Sequence, residues 1–234
     1  MGSVGIQTPY LLRSYFMIKA AIFDLDGLMF DTESVWDMTL SPALECQGYK
    51  SFDGLMDMVR GTSGVVLQNI LKDQFGQDLD AQVVCDEMNA LALEEFKKGA
   101  PMKPGLVEML EYLTSLNIVC GVASSSDMDM IKTHLEVHGI TKYFTSITSG
   151  QEVSLSKPNP DIFLLAAKRL GVEPCEAIVF EDSFLGVRAG FSGGFRVVMV
   201  PDMQQPTDDI RDMTSFVCES LNEARDVLID NKLI

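Results

Sequence analysis

The segment AIFDLDGLMFDTES, residues 21–34, carries acids where an apolar strand should continue. Asp24 and Asp26 directly follow the apolar run, and Asp31 comes five residues later. Burying a carboxylate without a partner is energetically costly, so these acids must have a partner or a task. A spacing of two places both side chains on the same side of an extended chain. Two carboxylates so placed could bind a cation, transfer a proton or attack an electrophile.

Further polar side chains follow the later apolar runs of the chain. They are Ser124 and Ser125 in GVASSS, Lys157 in SKPNPDIF, Glu181 and Asp182 in FEDS, and Asp202 in VPD. In an open α/β sheet, ligands bind beyond the carboxyl ends of the strands. We therefore expect these residues to meet Asp24 and Asp26 at one site.

The acids of this site predict either bound protons or a bound cation. Asp24, Asp26, Glu181 and Asp182 converge if the first and fourth strands are neighbours. Two like charges ~4 Å apart repel by roughly 4 kcal/mol at an effective dielectric of 20. A small set of oxygen ligands, open to solvent, suits Mg²⁺, which retains waters and accepts a phosphate oxygen.

With Mg²⁺ present, the remaining groups fit phosphoryl transfer. Lys157 supplies a second cation, Ser124 a hydroxyl, and the helix that follows it a set of backbone N–H donors. A carboxylate can act as the nucleophile and form an aspartyl-phosphate. Gly27 allows a sharp turn directly after the two acids.

Composition limits the classes of partner. Lys and Arg total 18 against 34 Asp and Glu, a formal net charge of −16, which argues against nucleic acid and anionic membranes. The phosphorylated substrate must then be held by local groups. Five scattered cysteines without a pairing pattern indicate a reducing cytoplasm. No feature demands a protein partner, so we expect a monomer.

Apolar runs alternating with amphipathic segments predict a mostly parallel sheet with helices, an α/β fold. The predicted strands are Lys19–Phe23, Ile118–Ala123, Ser146–Thr148, Ala177–Phe180, Arg196–Val200 and Phe216–Cys218. Predicted helices lie at 105–116, 128–138, 159–170, 184–191 and 220–231. His134 and His138, at i, i+4 spacing, are predicted to lie on the surface near a helix C-terminus.

Residues 33–102 differ, because their apolar residues recur with helical spacing and no strand is evident. The predicted organisation is an N-terminal extension at 1–16, a core formed by 17–32 and 103–234, and an inserted helical domain at 33–102.

In order and spacing, these motifs resemble those of the haloacid dehalogenase (HAD) superfamily over about residues 18–202. DLDGLMFDTES resembles its first motif, Ser124 in GVASSS its second, Lys157 in SKPNPDIF its third, and Glu181-Asp182 in IVFEDSFLGVRAG its fourth. The resemblance implies a Rossmann-like core with a four-helix cap inserted after the first motif.

The resemblance also implies a role for each matched residue. Asp24 would be the nucleophile and Asp26 the general acid and base. Mg²⁺ would be held by Asp24, the backbone carbonyl of Asp26 and Asp182, with Glu181 close by. The phosphate would be held by Ser124, Ser125 and Lys157. Met29 and Trp36 are candidates for substrate contacts.

The C-terminal part of the match is similar to pseudouridine-5′-phosphatase-like and β-phosphoglucomutase-like members. A Mg²⁺-dependent phosphatase acting on a small phosphorylated metabolite, a sugar phosphate or nucleoside monophosphate, is the leading interpretation. The mutases carry a cap histidine where this chain has Trp36, and a cap arginine where it has Gly64, with Arg60 four residues earlier. A sugar-phosphate mutase remains the alternative. A non-enzymatic phospho-acceptor domain of the receiver type is a more distant one, since such domains lack a large insert.

Overall fold

The chain forms two compact units in the computed structural model, which describes residues 17–60, 62 and 64–231. Residues 17–30 and 102–231 form one unit, called the core unit below. Residues 31–101 form the second, called the helical unit. The predicted N-terminal extension at 1–16 lies outside the described residues.

The helical unit contains four helices among its described residues: α1 (Thr32–Glu45), α2 (Leu55–Val59), α3 (Gly64–Phe75) and α4 (Ala81–Phe96). Aspartate side chains begin two of them. Asp31 accepts the Ser34 N–H at 3.2 Å before α1, and Asp80 accepts the N–H groups of Gln82 and Val83 before α4. The apolar faces meet in a separate core that includes Leu40, Leu44, Leu55, Leu71 and Val84. This unit therefore has its own hydrophobic interior.

The core unit is built on a six-stranded sheet in the order β3-β2-β1-β4-β5-β6. Its strands are β1 (Ala20–Phe23), β2 (Val119–Ser124), β3 (Phe144–Ser149), β4 (Ala177–Glu181), β5 (Arg196–Met199) and β6 (Phe216–Val217). Every strand pair is parallel. The predicted α/β class with a Rossmann-like parallel sheet and an inserted helical cap is confirmed.

Strands β1, β4 and β5 are buried at every residue, and hence on both faces of the sheet, which explains their continuously apolar sequences. The helices of this unit are α5 (Leu106–Ser115), α6 (Met128–Val137), α7 (Asp161–Leu170), α8 (Phe184–Ser192), α9 (Asp208–Met213) and α10 (Leu221–Asp230). All four residues of β1 are buried, and Phe23 stacks on Phe180 of the neighbouring strand at 4.7 Å between ring centroids. In the part of the chain that the structure describes, no helix is long and apolar enough to cross a membrane.

Two local features differ from the sequence-based prediction. Helix α9 was not predicted, because it is short, largely charged and buries only Ile210. His134 is fully buried, so its predicted surface position is wrong. It shares the buried face of α6 with Ile131 and Leu135, and its ring lies 5.1 Å from that of Phe30.

Candidate active site

The strand order brings the first and fourth motifs together, as the sequence predicted. Phe23 of β1 lies opposite Val122 of β2 and Phe180 of β4. The next residue, Asp24, continues this pairing by donating its N–H to the Phe180 carbonyl at 3.0 Å. Adjacent strand ends therefore carry Asp24 and Glu181 into one site, with Ser124 at the end of β2.

Lys157 connects the acids of these two strands. Its Nζ donates to Asp24 Oδ1 and to Glu181 Oε1, each at 2.5 Å. The ammonium also lies 4.8 Å from the centre of the Phe163 ring, over its face. Burial lowers the Lys157 pKa, but the two carboxylates outweigh this effect and the net pKa is raised. Lys157 is therefore a permanent cation in the interior of the site.

Both side-chain oxygens of Glu181 accept hydrogen bonds, and these hold the carboxylate in place. Oε1 accepts Lys157, while Oε2 accepts the N–H groups of Asp182 and Ser183 and the Ser183 hydroxyl, each at 3.0 Å. Gly186 makes room for this carboxylate, because a Cβ at that position would overlap it. The arrangement favours a role for Glu181 in orienting Lys157 and the Asp182 backbone.

Three carboxylates fit a divalent cation. Asp24, Glu181 and Asp182 each offer an oxygen, and these oxygens lie within 4.8 Å of one another. Burial raises the Asp24 pKa most, Lys157 lowers it, and the charges of Glu181 and Asp26 raise it, so that the net pKa is about 7. Burial, then Glu181 and Asp24, raise the Asp182 pKa well above its ordinary value. Lys157 alone thus does not balance the negative charge of these carboxylates. Carboxylate oxygens are the hard donors that suit Mg²⁺.

Asp26 is anchored by two serine hydroxyls from the turn after β2. Ser124 Oγ donates to Asp26 Oδ2 at 3.2 Å, and Ser126 Oγ donates to the same oxygen at 2.7 Å. The Ser126 N–H in turn donates to Ser124 Oγ at 3.0 Å. Ser125, which was predicted to bind phosphate, is exposed, and that role stays a prediction. The run of serines in the sequence indicated that this turn belongs to the site. The backbone conformation of the turn determines which hydroxyl groups reach Asp26.

The turn after Asp26 depends on Gly27, whose φ is +77°. A Cβ there would lie 2.9 Å from Asp182 Cγ and 3.2 Å from Asp202 Oδ2. Asp202 also accepts the Lys103 ammonium through Oδ1 at 2.6 Å. Lys103 carried no signal in the sequence, because its partner lies 99 residues away.

The two substrate-contact candidates occupy different units. Met29 belongs to the core unit and its side chain is fully buried. Trp36, on α1 of the helical unit, packs edge-to-face on Phe96 with ring centroids 5.6 Å apart. It also lines a cavity of about 550 Å³ within that unit, together with Met56, Arg60 and Met88. Contact of Met29 or Trp36 with substrate remains a prediction.

In a parallel α/β core, the ends of the strands are the place where ligands bind, and the acid-rich site lies there. Residues 21–200 match the family described as haloacid dehalogenase-like hydrolase, and the chain belongs to that family. The receiver-type alternative is therefore set aside.

Three similar proteins illustrate the relationship. A Bacillus subtilis (strain 168) protein named "Putative phosphatase YhcW" is 36% identical over 190 residues, covering 80% of this chain and 84% of its own length. The Drosophila melanogaster "Probable pseudouridine-5′-phosphatase" is 32% identical over 191 residues, covering 79% and 82%. A crystal structure titled "putative beta-phosphoglucomutase from Thermotoga maritima" superposes with a TM-score of 0.80 at 26% identity, covering 91% of this chain and 99% of that one.

Proposed function

We propose that this protein is a Mg²⁺-dependent phosphatase that hydrolyses a small phosphorylated metabolite through an aspartyl-phosphate on Asp24. The observation that carries the proposal is the arrangement around Asp24. Lys157 holds one of its oxygens, carboxylates that fit Mg²⁺ lie beside it, and a second acid two residues later is held by hydroxyl groups.

Asp24 Oδ2 is the proposed nucleophile, because Oδ1 is engaged by Lys157. Its attack on phosphorus forms the phospho-Asp24 bond as the bond from phosphorus to the leaving oxygen breaks. Asp26 gives its proton to that leaving oxygen. Asp26 then takes a proton from water, whose oxygen attacks phosphorus, releases phosphate and restores the Asp24 carboxylate.

Asp24 and Asp182, with the Asp26 backbone carbonyl, would hold Mg²⁺, and Glu181 would support them. When bound, Mg²⁺ supplies positive charge that stabilises the phosphoryl oxygens in the transition state. Lys157, Ser124 and Ser125 are the proposed phosphate-binding groups. Both Ser124 and Ser126 donate to one oxygen of Asp26 in the absence of substrate. When the single hydroxyl proton of Ser124 turns to the phosphate, the Ser126 hydroxyl would keep Asp26 oriented.

The proposed substrates are sugar phosphates and nucleoside monophosphates. Relatives named as phosphatases support hydrolysis, and the relative named for pseudouridine 5′-phosphate supports the nucleotide class. A sugar-phosphate mutase is the second candidate, since a structure titled as a β-phosphoglucomutase superposes over 91% of this chain. Trp36 and Gly64, where mutases carry histidine and arginine, favour hydrolysis.

Reaction products distinguish the two candidates. Purified protein with Mg²⁺ is incubated with a panel of sugar phosphates and nucleoside monophosphates, and released phosphate is measured. A parallel sample receives β-glucose 1-phosphate with a bisphosphate primer. Free phosphate supports the phosphatase, whereas glucose 6-phosphate without free phosphate supports the mutase. Asp24→Asn should abolish either activity, and retained turnover in that variant would exclude both.

Location and assembly remain predictions. All five cysteines are unpaired, which supports the proposed cytoplasmic location. The proposed monomer is testable by light scattering of the purified chain.

A further inference from the structure

Lys103 and Asp202 form an ion pair beside the acid cluster, and the proposed reaction does not use it. The Lys103 ammonium donates to Asp202 Oδ1 at 2.6 Å, and the side chains are only 23% and 18% exposed. The Lys103 backbone is also fixed, because its N–H donates to the Met29 carbonyl at 2.9 Å. The pair is therefore more shielded and better anchored than an ordinary surface salt bridge.

The pair places a carboxylate oxygen close to Asp182. Asp182 Cγ and Asp202 Oδ2 lie 2.9 and 3.2 Å from the same point, the place where a Cβ on Gly27 would stand. Both acids therefore border the space beside the Gly27 backbone that a side chain would occupy. Lys103 occupies Oδ1, while Oδ2 faces the turn that follows the catalytic acids.

The negative charge of Asp202 would repel the neighbouring carboxylates unless it were balanced. Lys103 supplies that balance, and it also fixes the rotation of the Asp202 side chain. A neutralised carboxylate can accept hydrogen bonds beside a cation site without competing to be a direct ligand. Mg²⁺ keeps several waters when it binds protein carboxylates, and outer groups that accept from such waters tune its affinity.

We propose that Asp202, held in place by Lys103, is a positioning residue that strengthens Mg²⁺ binding at Asp24 and Asp182 by accepting a hydrogen bond from a water of the cation. The inference rests on the proposed function, because that function supplies the cation. It assigns a task to Asp202, an acid at a strand end with no part in the proposed chemistry.

Thermal unfolding of the full chain across a MgCl₂ titration, without substrate, measures the apparent Mg²⁺ affinity directly. We expect Asp202→Asn to weaken it by about 10-fold to 100-fold, as for other groups that orient metal ligands. Lys103→Met should weaken it in the same direction, because Asp202 is no longer held. Lys103→Arg should restore most of the affinity, and the Lys103→Met/Asp202→Asn double variant should bind no more weakly than Asp202→Asn.

The direction of the Lys103→Met effect separates positioning from simple charge. If the pair acted only through its field, removing a positive charge would tighten Mg²⁺ binding, and that result would overturn the inference. The exposed Arg188–Asp209 pair of the same unit is the matched control. Arg188→Met and Asp209→Asn should leave the Mg²⁺ affinity unchanged.

The inference and the proposed function fail in different ways. Wild-type protein that binds Mg²⁺ while Asp202→Asn retains full affinity would overturn the inference alone. Wild-type protein whose unfolding does not respond to MgCl₂ would overturn the cation site, and with it both proposals.

Discussion

Asp24 shows how one residue balances burial against charge. Its backbone extends the sheet pairing, which forces the carboxylate into the interior beside Glu181. Lys157 offsets part of the cost, yet the Asp24 pKa still rises to about 7. The fold therefore accepts a poorly stabilised anion at the point where a nucleophile is needed, a common feature of functional sites.

Asp24→Asn should therefore stabilise the metal-free protein in a pH-dependent way. Folding raises the Asp24 pKa from 3.8 to about 7, so the folded wild-type protein becomes less stable as the pH rises between these two values. Asparagine carries no charge at any of these pH values. In the presence of a chelator at pH 4, we expect residue 24 to contribute little to the difference in unfolding free energy between the variant and the wild type. The variant should gain on the order of 2–4 kcal/mol in unfolding free energy by pH 8.

Urea unfolding at pH 4, 5.5, 7 and 8 measures this difference. A difference between the two proteins that stays constant across the series would contradict the raised Asp24 pKa. Lys157 keeps Glu181 as a partner in the variant, so the comparison does not leave a buried cation unpaired.

At the scale of elements, the strand ends explain what the sequence could predict. Parallel strands covered on both faces appear as continuous apolar runs, so β1, β2 and β4 and the residues after them were predictable. Contacts that depend on the conformation of a turn, or on residues far apart in the sequence, could not be predicted. Ser126 reaches Asp26, and Lys103 meets Asp202, because of geometry that no local pattern records.

Helix α8 packs against the Glu181 carboxylate at Gly186, which leaves the room that this carboxylate needs. A Cβ at Gly186 would overlap the Glu181 carboxylate, which holds Lys157 and through it Asp24. Gly186→Ala should therefore displace this chain of contacts. We expect a fall in kcat of about 100-fold, the cost of small misplacements of catalytic groups. The measurement is phosphate release under saturating substrate and Mg²⁺.

Gly190→Ala on the same helix is the control for folding effects. Its Cβ would lie 2.8 Å from Val197 Cγ2 in the core, so it changes packing away from the acids. It should alter the unfolding midpoint while leaving kcat within a few-fold of the wild type. Equal losses of kcat in both variants would show that helix packing, and not the position of Glu181, limits the reaction.

At the scale of the whole molecule, the chain divides into two units with separate hydrophobic cores. One buried cluster includes Ile22, Phe163 and Val179 of the core unit, and the other includes Leu40, Leu71 and Val84 of the helical unit. Every group proposed to bind Mg²⁺ belongs to the core unit. Ligand binding should therefore stabilise one unit more than the other.

Probes already present in the chain can follow each unit separately. Trp36 is the only tryptophan and belongs to the helical unit. Cys120 and Cys218 are buried in the core unit, 1% and 2% exposed. Tryptophan fluorescence thus reports the helical unit. Pulsed thiol labelling, with the modified peptides identified by mass spectrometry, reports opening of the core unit.

We expect the helical unit to unfold first in urea, since a domain of its size buries a smaller share of its surface. Its midpoint should lie roughly 1 M below that of Cys120 and Cys218 labelling, given slopes of about 1–3 kcal/mol per M. Mg²⁺ at about 100 times its Kd should add about 2.7 kcal/mol to the core unit alone. The Cys120 and Cys218 transition should then move to higher urea while the Trp36 transition stays in place. Transitions that coincide and move together with Mg²⁺ would show instead that the two units unfold as one.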